Sequence, residues 1–203
     1  CVAICDQLED PKMTKTIVKR GVTELVTPGV AMNDEVLQAK SNNFLASVYF
    51  SKRQLGVAFL DVSTGEFLTA QGNEEYIDKL LQNFSPSEIL IQKNTKAQFK
   101  TAFGEDYNVF YLEDWVYKED YAVETLQNHF QTNSLKGFGV EELQDGIIAS
   151  GAILYYLSET QHNKIQHITN IQRIAEDAYV WMDRFTIRNL ELYHSHSQNA
   201  VTL

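Results

Sequence analysis

The chain has 203 residues, of which 44% are hydrophobic and 22% charged, and its formal net charge is −10. This is the composition of an ordinary globular protein with enough apolar residues for a core. It has no run of about 18 apolar residues that would span a membrane. Its acidic balance argues against tight nonspecific binding of nucleic acid by the chain alone.

The chain begins at Cys1 with an apolar run and no basic segment before it, so a secretory signal peptide is not expected. Neither end resembles a finished terminus, and we expect an internal piece of a longer polypeptide. The two cysteines are Cys1 and Cys5. In a strand they would lie about 13 Å apart, too far for a disulfide. We therefore expect two buried thiols in a cytoplasmic protein.

Strands are predicted for most of the first 70 residues. Val2–Cys5 and Thr16–Val26 are rich in apolar or β-branched residues and indicate extended structure. After these two segments, Asn33 or Asp34 is placed to cap a short helix over 35–40. Strands with period-two alternation follow at 44–50, 55–62 and 65–70. The short turns between these three strands predict an antiparallel meander.

From residue 73 the pattern alternates between helix and strand. Asn73 is placed to cap a helix with an apolar face. That face consists of Ile77, Leu80, Leu81 and Phe84. A buried strand over 87–91, a helix capped by Asn94 or Thr95, and a strand over 108–112 follow. The order predicts an α/β fold with a mixed five-stranded sheet and helical crossovers, which is RNase H-like. That likeness is topological and implies no function.

The last third of the chain is predicted to be mainly helical. An amphipathic helix is expected over 121–130 and a long buried helix over 140–161. The core stripe of the long helix comprises Ile147, Ile148, Gly151, Ala152, Leu154 and Tyr155. Residues 165–181 have an extended or irregular pattern, and a new helix is expected to begin within 184–192.

Six short strings follow one another along the chain: Val2–Pro11, Glu24–Gly29, Asn43–Ala46, Leu60–Phe67, Pro86–Leu90 and Met182–Leu192. In order and spacing they resemble the MutS family of DNA mismatch-repair proteins. Val2–Pro11 is similar to the end of the family's mismatch-binding domain, and Glu24–Gly29 to the passage into its connector domain. Asn43–Ala46, Leu60–Phe67 and Pro86–Leu90 are similar to strands of the connector domain. Met182–Leu192 is similar to the opening of the core or lever domain. One departure is Arg184–Phe185, where the family usually has two small residues, so that position is expected to pack differently.

The resemblance implies three segments: the tail of a mismatch-recognition domain at 1–23, a connector domain at 24–176, and the start of a core or lever domain at 177–203. It implies a parent protein that is a homodimeric clamp on mismatched double-stranded DNA, binds ATP with Mg²⁺ and recruits a MutL-like protein in the bacterial cytoplasm. In the family, the mismatch-reading element precedes the stretch resembled here, and the phosphate-binding loop follows it. The chain itself is therefore expected to have no catalytic, metal or cofactor site and to couple neighbouring domains.

A local basic patch lies near the start of this acidic chain. It comprises Lys12, Lys15, Lys19 and Arg20. Neighbouring carboxylates offset its charge, so a solvated face is the simpler interpretation. The functional alternative is contact with DNA backbone phosphates in the intact protein, because the resemblance places this stretch in the DNA-reading domain.

A candidate partner surface lies at the end of the long helix. Tyr155 and Tyr156 are adjacent and cannot both face the core. An exposed Tyr155 beside Ser158 and Gln161 would suit an interface, where tyrosine is enriched. A tyrosine at the core boundary is the simpler interpretation.

Two alternatives remain open at this point. A stand-alone RNase H-like nuclease would hold two divalent ions about 4 Å apart, with Asp61, Glu66 and Glu88 as ligands. The simpler interpretation gives Asp61 to a turn and leaves Glu66 solvated. His194 and His196 have no third ligand at suitable spacing, so a surface pair is favoured over a metal site. The second alternative is a MutS paralogue that acts outside mismatch repair.

Overall fold

A computed structural model of the chain describes residues 2–9, 17–30, 42–161 and 165–174. The expected helix over 35–40 and the expected start of the core or lever domain lie outside these residues. So do Cys1, Lys12, Lys15, His194 and His196. Within the described ranges, no helix is long and apolar enough to cross a membrane.

The first two strands form a separate hairpin. β1 (Val2–Gln7) pairs antiparallel with β2 (Arg20–Val26), and the register shifts between Ile4 and Cys5. All six residues of β1 are exposed. Cys5 is a free, exposed thiol, so the expectation of a buried thiol is wrong for this residue. The reason is that, among the described residues, β1 belongs to a sheet of two strands with β2 alone.

A six-stranded mixed sheet forms the centre of the remaining chain. Its strands are β3 (Phe44–Phe50), β4 (Leu55–Asp61), β5 (Glu66–Gly72), β6 (Glu88–Gln92), β7 (Val109–Leu112) and β8 (Gln172–Arg173). The order is β7-β6-β3-β4-β5-β8. β3, β4 and β5 are the predicted antiparallel meander, and β6 and β7 add in parallel. The predicted α/β class and its five strands are confirmed. The prediction missed β8, which has two residues and pairs parallel with β5.

Helices cover both faces of this sheet. α1 (Glu74–Phe84) and α2 (Lys96–Phe103) pack on one face, and α3 (Glu119–Phe130) and α4 (Gln144–Gln161) on the other. Asn73 caps α1 as predicted, because its side chain accepts a hydrogen bond from the Tyr76 amide at 2.8 Å. Thr95, one of the two predicted caps, occupies the N-cap position of α2 but makes no side-chain capping bond; its hydroxyl donates to the Gln92 carbonyl at 3.0 Å.

α4 is buried along most of its length and lies in close contact with the sheet. Its residues between Gly146 and Leu157 are buried except for the half-buried Tyr155. The helix begins at Gln144, four residues after the predicted start, because Val140–Leu143 forms a turn closed by an amide-to-carbonyl bond of 2.9 Å. A Cβ on Gly56 of β4 would lie 2.0 Å from the carbonyl oxygen of Asp145. Only glycine leaves room for this approach.

We expect Gly56→Ala to lower the free energy of unfolding by about 3 kcal/mol, because the new methyl group would overlap the backbone of α4. Gly137→Ala is the matched control, since a Cβ there meets nothing within 4 Å, and it should change stability by less than about 0.5 kcal/mol. Urea denaturation of both variants measures the difference. Equal stability of the two would contradict the close contact.

Candidate functional sites: a buried junction and an aromatic surface

A buried polar junction joins three distant parts of the chain. Thr27 follows β2, Glu88 begins β6, and Tyr156 lies on α4. The Thr27 hydroxyl donates to Oε2 of Glu88 at 2.6 Å, and the Gly29 amide donates to the same oxygen at 3.3 Å. The Tyr156 hydroxyl lies 3.2 Å from the Thr27 hydroxyl, to which it donates, and 3.4 Å from Oε1 of Glu88. These contacts tie the segment that leaves the hairpin to the sheet and to α4.

The junction is stable because its carboxylate has donors. Glu88 is 4% exposed, and a carboxylate without partners at that depth would be strongly destabilising. Each of its neighbours supplies an N–H or O–H group. Burial raises the pKa of Tyr156 above its usual value; the bond to Thr27 acts against this and the Glu88 charge acts with it. The phenol therefore remains a protonated donor at neutral pH.

The three carboxylates of the nuclease hypothesis do not form one cluster. Oδ1 of Asp61 accepts from the Ser63 amide and hydroxyl, at 2.8 and 2.6 Å, which is the turn role that the simpler interpretation predicted. Asp61 pairs with Phe44, whereas Glu88 pairs with Leu45.

Consecutive residues of β3 point to opposite faces of the sheet. Asp61 and Glu88 consequently lie on opposite faces and cannot share a metal ion. Glu66 pairs with Asp61 but is exposed, as expected. In the described part of the chain, no group of three or more His, Cys, Asp or Glu side chains is arranged to hold a metal ion. The ligand set that the nuclease hypothesis requires is not assembled there.

The basic patch is described only at Lys19 and Arg20, both of which are exposed. Nζ of Lys19 lies 3.9 Å from a carboxylate oxygen of Glu9. This is the local charge offset that favoured a solvated face. A contact between the patch and DNA phosphates stays a prediction.

Three aromatic side chains from three elements meet at the surface near β7. The ring centroids of Trp115 and Tyr121 are 5.1 Å apart, those of Trp115 and Tyr155 are 5.2 Å apart, and those of Tyr121 and Tyr155 are 6.1 Å apart. All three pairs are edge-to-face. We call this group the aromatic surface. Within it, Trp115 is 44% exposed.

The predicted partner residues are only partly brought together. Tyr155 is half-buried within the aromatic surface, and Ser158 is exposed, but its hydroxyl donates to the Tyr155 carbonyl at 2.7 Å. The Gln161 side chain lies outside what the structure describes. Sequence reasoning missed Trp115 and Tyr121. The signal available was the stretch 113–121, in which two pairs of adjacent carboxylates lie among three aromatic residues.

Carboxylates lie around the aromatic surface. Burial raises the pKa of the Tyr155 hydroxyl, and the nearby charges of Glu159 and Glu113 raise it further. Both glutamates are exposed. The aromatic rings therefore lie in a region of negative potential.

The structure therefore has a mixed sheet with helices on both faces and a polar junction that joins this sheet to the segment after a two-stranded hairpin. Residues 43–170 match the family model of MutS domain II, and residues 1–35 match that of MutS domain I. The chain belongs to the MutS family. The proposed limits of its three segments, at 23/24 and 176/177, stay predictions.

Close relatives match the chain from end to end. Over 202 residues it is 83% identical to the DNA mismatch repair protein MutS of Flavobacterium psychrophilum and 81% identical to that of Flavobacterium johnsoniae. The identity to the DNA mismatch repair protein MutS of Christiangramia forsetii is 73%. Each alignment covers 100% of this chain and 23% of the relative. The chain thus spans about a quarter of the length of these relatives.

We expect Glu88→Ala to lower the free energy of unfolding by about 3 kcal/mol, because it leaves the Thr27 hydroxyl and the Gly29 amide buried without an acceptor. Glu66→Ala removes an exposed carboxylate and should change stability by less than about 0.5 kcal/mol. Thermal or urea unfolding distinguishes the two variants. A Glu88→Ala protein as stable as Glu66→Ala would show that the junction adds nothing to the fold.

Proposed function

We propose that this chain is the connector region of a MutS-type mismatch-repair protein, joined to the end of its mismatch-recognition domain, and that it passes structural changes between neighbouring domains. The observation that carries the proposal is the junction of Thr27, Glu88 and Tyr156. Thr27 lies within residues 1–35, which match MutS domain I, although the predicted limit at 23/24 assigns it to the connector; Glu88 and Tyr156 lie within residues 43–170, which match domain II. Family membership supports the repair setting.

The junction suits transmission because it replaces a flexible link with buried contacts. A loop anchored only by its covalent ends would absorb a rotation of the hairpin. Here the segment after β2 is bonded to the first residue of β6 and to α4. A displacement of the hairpin would therefore move the sheet and α4 together as one body. That movement would be passed to the segment that follows the sheet domain in the chain.

The remaining features of the proposal belong to the complete protein. We propose that it is a homodimer in the bacterial cytoplasm, recognises mismatched double-stranded DNA, binds ATP with Mg²⁺ and recruits a MutL-like protein to a surface of this chain. The chain itself would have no catalytic role. Support comes from the relatives, each of which is named a DNA mismatch repair protein. These names favour mismatch repair over the work of a paralogue outside it.

In the complete protein that contains these residues, we expect Thr27→Val and Tyr156→Phe, each made singly, to uncouple DNA recognition from nucleotide turnover. Mismatch affinity should change less than about twofold, whereas mismatch-dependent stimulation of nucleotide exchange should fall at least about fivefold. Fluorescent nucleotide release with homoduplex and mismatched DNA measures this.

Glu66→Gln is the matched control for that experiment and should behave as the unaltered protein. Thermal unfolding of each variant checks that the fold is retained. Folded junction variants with undiminished stimulation would contradict a transmitting role.

The 203-residue chain alone should bind homoduplex and mismatched duplex equally and weakly, with dissociation constants of about 1–100 µM or above. The reason is its net charge of −10, which opposes phosphates. Fluorescence anisotropy at two salt concentrations measures both affinities. If the basic patch contributes, Lys19→Glu should weaken the residual binding. Tight, mismatch-selective binding would show that the recognition chemistry lies within this chain.

A further inference from the structure

Large hydrophobic side chains are exposed at one edge of the connector. Apart from the hairpin strands and the residues between them, the described part of the chain has two that are strongly exposed: Phe110, at 40%, and Trp115, at 44%. Phe110 lies on β7, which is an edge strand of the sheet. A single exposed apolar side chain needs no explanation, whereas a group of them can mark an interaction site. Trp115 is the more distinctive of the two because it lies within the aromatic surface.

The rings of the aromatic surface support one another but leave the indole accessible. Tyr121 and Tyr155 meet Trp115 edge-to-face at 5.1 and 5.2 Å. The contacts hold the indole in place, so little conformational entropy would be lost when a ligand covers it. Preordered, half-exposed Trp and Tyr side chains are the residues that most often dominate binding energy in interfaces.

The charge around these rings has one predominant sign. Close to Trp115 and Tyr121 in the sequence, the exposed carboxylates are Glu113, Asp114, Glu119 and Asp120. On α4, Glu159 is exposed one turn after Tyr155. Lys118 is the exposed cation within the same stretch. Lys93 pairs with Glu113, and Asn94 donates to Asp114 at 3.0 Å. An excess of carboxylates remains in this stretch, and the charges of Glu159 and Glu113 act on the Tyr155 hydroxyl.

We propose that the aromatic surface is a docking site for a segment of a partner protein that presents an arginine side chain to the Trp115, Tyr121 and Tyr155 rings. A guanidinium stacks on aromatic faces through cation–π attraction and pairs with carboxylates at the same time. The surrounding negative charge would speed the encounter and reject acidic partners. The inference rests on the proposed function, in which this chain offers a surface to a partner.

Charge also excludes the other occupants. A nucleic acid would bring phosphates against carboxylates in a chain of net charge −10. A second copy of the chain docked through the same surface would bring the exposed Glu159 carboxylates of the two copies together, which is unfavourable. A cationic protein segment satisfies both the rings and the carboxylates.

The test uses the 203-residue chain with Trp181→Phe, which leaves Trp115 as its single indole because the sequence has two tryptophans. The probe is a short synthetic peptide with two arginines, and its control is the same peptide with citrulline, which keeps the shape and removes the charge. Indole fluorescence should show saturable binding of the arginine peptide. The citrulline peptide should bind at least about tenfold more weakly, and added salt should weaken the arginine peptide's binding.

Variants assign the binding to the proposed rings. Calorimetry should show that Trp115→Ser abolishes binding and that Tyr121→Ser or Tyr155→Ser weakens it at least about fivefold. Tyr155→Phe keeps the ring and should keep the affinity. Phe110→Ser is the control, since its exposed ring packs against Tyr156 at 5.0 Å and lies outside the aromatic surface. It should leave the affinity unchanged, and thermal unfolding checks that loss of the Tyr156 contact leaves the fold intact.

Three results would overturn the proposal: no saturable binding at peptide concentrations up to about 10 mM, equal binding of the citrulline peptide, or equal effects of Trp115→Ser and Phe110→Ser. Covalent labelling of Trp115 adds a fourth. If the indole is labelled in the 203-residue chain but protected in the complete protein, another part of the same polypeptide occupies the surface. The coupling experiment on the junction is independent of all four, so its failure is distinguishable.

Discussion

The contact between the start of α4 and β4 is the constraint on which the other features depend. Gly56 has no Cβ, so the carbonyl of Asp145 reaches the backbone of the central sheet. This contact fixes the position at which the helix crosses the sheet. α4 is 18 residues long, and two adjacent tyrosines in its second half lie in the two candidate sites. Because successive helical residues point about 100° apart, Tyr156 enters the buried junction while Tyr155 joins the aromatic surface.

Much of the fold could be predicted from the sequence because its signals are local. Period-two alternation indicated the meander, and the cap at Asn73 and the turn at Asp61 each depend on partners within three residues. The errors arose where local pattern and tertiary context diverge. β8 is too short to have a period, and it forms because the Ile174 amide and the neighbouring backbone add to β5. Cys5 lies in an apolar run that predicts burial, but its strand belongs to a two-stranded hairpin and the thiol is exposed.

The candidate sites were less predictable, since their partners are far apart in sequence. The Thr27 hydroxyl and its Glu88 acceptor are separated by 61 positions, and Tyr156 lies 129 positions from Thr27. No spacing rule relates such residues. Tyr155 could be proposed because adjacent tyrosines on one helix must diverge, which is a local argument. Trp115 and Tyr121 join it only because α3 and the turn before it pack against α4.

The distribution of charge gives the proposed coupling a physical rationale. The described cations of the basic patch, Lys19 and Arg20, lie on or beside the hairpin, whereas the charges of Glu159 and Glu113 act on Tyr155 in the aromatic surface. A connector that is repelled by phosphates would not compete for DNA with the recognition domain that it serves. Its position would then be set by the hairpin through the junction rather than by DNA directly. The same negative potential that would repel DNA would attract a cationic partner, so one charge imbalance would serve both proposed roles.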